Sequence, residues 1–413
     1  MNILTKFFKS RDKPKPKNLS LSSNEGWILS GGTSSGKQVN EKTAMQISTV
    51  YACVKILAES IASLPLHVFT KTENGGKEPA VTHALYTLLH DAPNPEMTSF
   101  TLRETMMAHL LLWGNAYAQI IRNNRGQAVS LYPLNPTEIE VRRDDNKELI
   151  YVYWSGSEYK TLKRGEVLHI PGLGFDGLKG HSPITTMRNA LGIAIATEEY
   201  GAKFFANGAR PGGVLEHPGV LKDAEKIRKT WNETFKGSEN SNKIAVLEEG
   251  LKYHAIGVPP EDAQFLETRK FQTNEIARIF RVPPHMIGDL ERSSFSNIEQ
   301  QSLEFVKYTL NPWIVRWEQS LRQSLILPSE KPKIFIMFNL DGLLRGDYRS
   351  RIDGYTKGIQ NGFYSVNDVR KLEDMSLLSD EDGGNLHFVN GNVVKLGEAG
   401  SAYENNQSGG EKD

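Results

Sequence analysis

Between Ser182 and Asn207 the chain carries one helical pattern, SPITTMRNALGIAIATEEYGAKFFAN, and this segment constrains the fold more than any other. Ser182 followed by Pro183 is a strong helix start, a capping hydroxyl with proline in the first turn. Gly208 is a natural stop. About 25 residues at ~1.5 Å each make a rod of roughly 37 Å. Its faces are rich in small residues: Ala190, Gly192, Ala194, Ala196, Gly201, Ala202 and Ala206. Small residues let backbones approach closely, so the pattern predicts a helix packed tightly along its length.

The residues before it alternate helix and strand. Ala44, Ile47, Tyr51, Val54, Ala58 and Ile61 recur at spacings of three and four, predicting a helix over 43–63 with Thr43 as its cap. LPLHVFT (64–70) reads as a strand, ENGGKEP (73–79) as a turn and 99–113 as a second helix. Short strands follow: AYAQIIR, AVSLYPL, EIEVRR, LIYVYW and EVLHI, with Gly, Asn, Asp and Pro between them. The first 180 residues therefore form an α+β unit.

After the rod, residues 211–258 read as a compact insert: GGVLEHP, an amphipathic helix near 222–236, and the strands KIAVLEE and LKYHAIG. A second long helix near 260–281 stops at Pro283 and Pro284. Phe271, Ile276, Ile279 and Phe280 on it are expected in the core. Residues 288–296 are a polar loop, and 297–327 a helix kinked by Pro312. A strand (333–340) precedes helices at 346–358 and 366–374, the last with Asn367 as a possible cap. Residues 1–40 read as a mobile arm and the tail from 399 as disordered.

Composition limits function. In 413 residues, 38% are hydrophobic, enough for a real core. Lys plus Arg is 49 and Asp plus Glu is 49. Tight nucleic-acid binders draw their affinity from a basic excess, so a charge-driven DNA grip is disfavoured. Passage of DNA without a grip stays open. Cys53 is the lone cysteine and can make no internal disulfide. MNILTKFFKSRDKPKPKN lacks a secretory h-region, and no stretch is long and apolar enough to span a bilayer. The expectation is a protein made in a reducing cytoplasm, with no membrane contact.

Three motifs invite chemistry. GGTSSGKQ (31–38) fits both the start of a phosphate-binding loop and the G-x-S-x-G of a nucleophile elbow. The first needs a strand before it, a helix starting at the lysine and a small hydroxyl after it. Gln38 supplies no such hydroxyl, and the helix signals begin only at Asn40–Thr43. GLGFDG (172–177) matches G-x-G-x-x-G, but Pro171 breaks the preceding strand and the helix comes too late for a pyrophosphate. SDEDGGN (379–385) misses the spacing of a calcium loop. The histidines show no metal-binding spacing, and there is no CxxC. These readings leave a flexible Gly/Ser connector, a Gly-rich turn and a solvated acidic turn, with no cofactor and no metal.

The ordered series of segments resembles the portal protein family of tailed bacteriophages and prophages, of the Hong Kong phage type. The resemblance rests on TAMQISTVYACVKILAESIASLPLHVF, HIPGLGFDGLKGHSPI, EDAQFLETRKFQTNEIARIFRVPPHMIGDLERSSFSNIEQQSLEFVKYTLNPWIVRWEQSL (261–321) and LDGLLRGDYRSRIDGYTKGIQNGFYSVNDVRKLEDM (340–375). It covers roughly residues 40–390. It implies the α+β portal fold: wing (41–181), stem helices (182–210 and 259–287), clip (211–258), tunnel loop (288–296), a returning wing helix and strand (297–345) and a crown (346–398). It implies a non-enzymatic ring of about twelve subunits at one capsid vertex, with double-stranded DNA moving through its channel. Terminase, head–tail adaptor proteins and the major capsid protein are the implied partners, and the virion, assembled in the host bacterial cytoplasm, is the implied location. On that map Arg292, Ser293 and Ser294 are expected to approach the DNA backbone. Lys226, Lys229 and Lys236 of the clip are expected to face the terminase. The rivals are a nucleotide-dependent motor subunit using the 31–38 loop and a different head–tail adaptor ring.

Overall fold

The computed structural model describes residues 32–73, 75–206, 213–220, 223–235, 246–247, 250–255, 262–290, 295–340, 348–373 and 375–388. The chain divides into two compact units, one ending at Asn339 and one beginning at Leu340.

The first helix pattern is split. Asn40, not Thr43, caps α1 (Glu41–Ala44): its side chain accepts from the Thr43 amide, and the Thr43 hydroxyl accepts from the Asn40 amide. The chain then turns and restarts as α2 (Ser48–Ser63). Val50, Cys53, Val54, Leu57, Ala58 and Ile61 bury one face, while Tyr51 is exposed. β1 (Leu66–Lys71) lies between β2 (Lys77–Pro79) and a late strand, Ile334–Phe338, in register Leu66↔Phe338 to Thr70↔Ile334. The first unit is thus closed by residues far apart in sequence.

Two helices follow. α3 (Ala84–His90) has no counterpart in the sequence reading. α4 (Ser99–Trp113) has the bounds that its pattern predicts; Thr98 caps it and Gly114 ends it at φ 74°. Arg103 on α4 is buried without a carboxylate. Its guanidinium donates to Ala62 O from Nε (3.1 Å) and Nη2 (2.7 Å), and to Leu89 O and Ser99 Oγ from Nη1. Those carbonyls lie in the last turns of α2 and α3, where acceptors are orphaned and the helix dipole favours a cation.

Two three-stranded antiparallel sheets come next. β3 (Asn115–Arg122) sits between β4 (Ala128–Leu134) and β8 (Val167–Pro171). β6 (Leu149–Ser155) sits between β5 (Ile139–Arg143) and β7 (Glu158–Lys163). The strand β7 gave no sequence signal because only Leu162 along it is buried. Pro171 does not break its strand; it is the last residue of β8, paired with Asn115. Tyr117, Leu134, Ile139, Tyr151, Leu162 and Val167 pack into one apolar cluster from both sheets.

The predicted rod is in two pieces. Ser182 caps α5 (Pro183–Thr186) as expected, accepting from the Thr185 amide. Met187 leaves helical geometry at ψ 19°, and α6 runs from Arg188 to Ala206. The small residues divide by face. A Cβ on Gly192 would meet Thr33 at 2.7–2.8 Å, and one on Gly201 would meet Phe265 at 2.4 Å. These glycines are filled by this chain's own side chains, whereas Ala202 and Ala206 are exposed.

The insert comprises β9 (Gly213–Glu216), α7 (Ala224–Phe235) and β10 (Lys252–Ala255), the strands antiparallel and Trp231 stacked on Tyr253 at 5.5 Å. Val246 and Leu247 form no strand; the rest of KIAVLEE lies outside the described residues. α8 (Asp262–Phe280) returns antiparallel to α6, with Gln272 Nε2 donating to Thr197 Oγ1 at 3.1 Å. On α8, Ile276 and Phe280 are core as predicted, but Phe271 is 60% exposed. The final helix of this unit contains α9 (Phe295–Glu304), a π-helical segment Phe305–Leu310 and α10 (Asn311–Leu325). Pro312 has no amide to donate, and the wider π turns just before it absorb that loss. The late strand is β11 (Ile334–Phe338).

The second unit contains α11 (Tyr348–Gln360) and α12 (Val366–Leu372). The α12 cap is Ser365, in a capping box with Asp368. Asn367 is 1% exposed and has another task. Its amide nitrogen donates to Leu378 O and Asn385 Oδ1, and its oxygen accepts from the Leu378 amide. That pins the acidic 379–385 turn against the helix.

Candidate functional site

The 31–38 segment is a fastened turn, not slack. Gly31 lies outside the described residues, and a bridge between Gly32 and Gln38 closes the rest. Thr33 is 2% exposed. Its hydroxyl donates to Lys37 O (2.8 Å) and accepts from the Lys37 amide (3.0 Å). Ser34 is exposed, its amide donating to Asn189 Oδ1. Lys37 Nζ reaches Glu199 on α6 at 2.6 Å, and hydrogen bonding to Lys37 is the first cause holding the Glu199 carboxyl below its usual range. A phosphate loop needs outward-facing amides and a free lysine. Here the Gly36 amide donates to Thr33 O and the Lys37 amide is consumed by Thr33. The turn clamps residues 32–38 onto α6, and a motor reading has no cradle here.

The other glycine motif is a locked loop. Asn115 at the start of β3 holds it from both sides: Oδ1 accepts from the Gly180 amide (2.8 Å) and Nδ2 donates to Gly180 O (2.7 Å). The same Oδ1 lies 3.1 Å from His169 Nε2, and His169 Nδ1 lies 3.2 Å from the Tyr151 hydroxyl. An amide oxygen only accepts, so Nε2 carries the proton and Nδ1 accepts from Tyr151. Burial, with Lys179 adding to it, pushes the His169 imidazole down to about 4, and burial raises the Tyr151 phenol to about 12. Both are neutral at pH 7 and serve as fixed hydrogen-bonding groups. His109 on α4 is likewise pushed down to about 4 by burial. This network supports structure rather than proton transfer. Only the presence of Asn at one strand start and of Tyr and His within two other strands could have signalled it in the sequence.

The residues expected at the channel lie outside the described part: Arg292, Ser293 and Ser294 all fall between Leu290 and Phe295. Their flanks are well fixed. Arg281 ends α8 at φ 56°, and the Thr309 hydroxyl donates to its carbonyl at 2.8 Å. Gly288 turns the chain at φ 89° after the one-turn helix Pro284–Ile287, and His285 Nδ1 lies 2.9 Å from Gln301 Oε1 on α9. Helix resumes at Phe295, inside the loop expected to run to 296.

Lys226 and Lys229 are exposed on α7, three residues apart and so on one side of it, while Lys236 lies outside the described residues. Asp223 Oδ1 accepts from the Lys226 amide at the helix start. Among the described residues no group of three His, Cys, Asp or Glu side chains could hold a metal ion, and no helix is long and apolar enough to cross a membrane.

The sequence pattern of the Phage portal protein family matches residues 48–374. The portal protein of Enterobacteria phage HK97 is 36% identical over 398 residues, covering 94% of this chain and 92% of the relative. The chain belongs to the phage portal protein family. Its function is that of a portal in capsid DNA packaging, and its place is the virion. The family is a structural one. The portal fold agrees with solved chains. A portal protein of the HK97 family from Corynebacterium diphtheriae superposes with a TM-score of 0.56 at 16% identity, covering 74% of this chain and 98% of that one. A chain from the neck of a native gene transfer agent particle, computed with C12 symmetry, gives 0.55 at 22% identity, covering 86% and 99%. In this portal chain sequence reasoning missed Arg103, the Asn115–His169–Tyr151 network and the Thr33 clamp.

Proposed function

We propose that about twelve copies of this chain close into a ring at one capsid vertex, around a channel for double-stranded DNA. The observation that carries this is the match to the HK97 portal protein through 94% of this chain and 92% of that one. A second support is the C12 symmetry named for the neck of the gene transfer agent particle. A ring of identical chains needs head-to-tail contacts that close on themselves.

On this reading residues 41–181 are the wing, 182–210 and 259–287 the stem, and 211–258 the clip. The loop 288–296 is the tunnel loop, 297–345 returns to the wing, and 346–398 is the crown. Residues 1–40 and 399–413 flank this body. Exposed Lys226 and Lys229 suit an acidic partner surface on the terminase large subunit, and Lys236, outside the described residues, is proposed to join them. Head–tail adaptor proteins take the terminase's place after packaging, and the major capsid protein surrounds the ring. Assembly takes place in the cytoplasm of the host bacterium. The chain performs no catalysis; a separate motor supplies the energy.

Neutral net charge fits a channel through which DNA slides. Each clamped phosphate would add salt-dependent affinity and therefore drag. On this reading Arg292, Ser293 and Ser294 face the moving backbone, one cation followed by two short hydroxyls. Replacing all three by Ala should lower the amount of DNA packaged or retained per particle, measured as filled against empty heads. Unchanged packaging and retention would remove the tunnel-loop assignment.

A further inference from the structure

The loop between β8 and α5 presents apolar side chains to water from a backbone that cannot yield. Phe175 is 91% exposed and Leu173 is 74% exposed. The loop beneath them is held at every point. The Gly172 amide donates to Gly114 O, and the His181 amide donates to Leu173 O. Asn115 grips Gly180 on both sides. Asp176 Oδ1 accepts from the Leu178 and Lys179 amides. A Cβ on Gly174 would stand 1.9 Å from Lys179 O, and one on Gly180 2.0 Å from Gly114 O. Backbone so close leaves no room to fold the apolar pair inward. An aromatic side chain held out by a pre-ordered loop has little ordering entropy left to lose on binding, which is the character of an interface anchor.

The same chain carries a receptor of matching chemistry. A cleft of about 760 Å³ lies between α8 and the segment that follows it. Phe271, Ala277, Val282 and Pro284 form its apolar lining, and Glu267 and Arg278 are among its charged groups. Phe271 is 60% exposed there. Asp176 and Lys179 follow Phe175 in the loop, and the cleft lining carries Glu267 and Asp289 with Lys270 and Arg278, so each surface offers charges of both signs to the other. A projection and a recess on different surfaces of one chain are what a head-to-tail ring requires.

We propose that the 172–180 loop of one copy seats Phe175 and Leu173 in the Phe271–Pro284 cleft of the next copy. The proposal rests on the ring reading and names the contact that joins neighbours. Cys53 is buried in α2, so introduced thiols are the accessible ones. The test uses the full chain carrying Phe175→Cys and Phe271→Cys, treated with a short bis-maleimide and run on a denaturing gel, with electron microscopy of the same sample. A ladder of covalent oligomers from the double variant, absent from either single variant, is expected. Rings by microscopy without a ladder overturn this contact and leave the ring standing. A wild-type chain that forms no rings overturns both. Phe175→Asp sits on an exposed side chain and spares the fold; it should raise the concentration for half-assembly roughly tenfold or more. Unaltered assembly of that variant also overturns the contact.

Discussion

The α+β part at 41–171 and the insert at 213–255 solve opposite problems. In residues 41–171, two sets of polar groups that enter the interior are answered inside the chain. Arg103 meets the ends of two helices, and Asn115, His169 and Tyr151 meet one another. In the insert, a helix and a two-stranded ribbon share one aromatic stack, Trp231 on Tyr253. Val220 and Val246 stand almost wholly exposed there. The 41–171 part holds most of the buried apolar residues, whereas the insert offers surface. A two-stranded ribbon is marginal by itself, so the insert suits a region completed by neighbours.

Substitutions should separate the two regions. The largest effect is expected at Arg103. Arg103→Met leaves buried carbonyls without donors and should cost about 3–5 kcal/mol, read from denaturant midpoints. A loss below about 1 kcal/mol would show that water replaces the guanidinium. Gly180→Ala puts a Cβ 2.0 Å from Gly114 O and should cost about 2–3 kcal/mol in the same assay. Wild-type stability in that variant would mean that the loop is not locked.

Acid should loosen the 41–171 part next. His109 and His169 sit at about 4 in the folded chain, against 6.5 as the ordinary value. Between those values the unfolded chain binds more protons, so stability falls as pH drops through that window and levels off below it. Each imidazole contributes on the order of 3 kcal/mol. His169→Asn should flatten part of the slope in thermal melts taken from pH 7 to 4; an unchanged slope would assign the acid sensitivity elsewhere. The smallest effect is expected in the insert. Lys226→Ala with Lys229→Ala should shift stability by less than about 0.5 kcal/mol while weakening terminase capture in a pull-down. Loss of several kcal/mol would place those lysines in a structural role.

Legibility followed the same division. Strands β3–β6 and β8 were readable because their apolar residues and turn signals are local. Helix α4 was readable from Leu102, Met106, His109 and Leu110 on one side of it. β7 was not, because Leu162 alone is buried along it. The single helix expected at 43–63 is two, because Asn40 offers a complete capping box one turn earlier. The exposure of Phe271 could not be read from its helical spacing, since a helix pattern does not reveal which apolar positions the rest of the chain leaves uncovered. The 31–38 turn looked slack because its partners, Gly192 and Glu199, lie more than 150 residues away. The α+β portal fold and the family were legible in the order of many short segments. The channel residues 292–294 remain a proposal that only function can test.

The most direct measurement is single-particle electron microscopy of the purified full-length chain, with rotational symmetry determined from end-on views. The account predicts closed rings of about twelve subunits around an open central channel. Monodisperse monomers at the concentrations where relatives assemble, or rings with no channel, would contradict it.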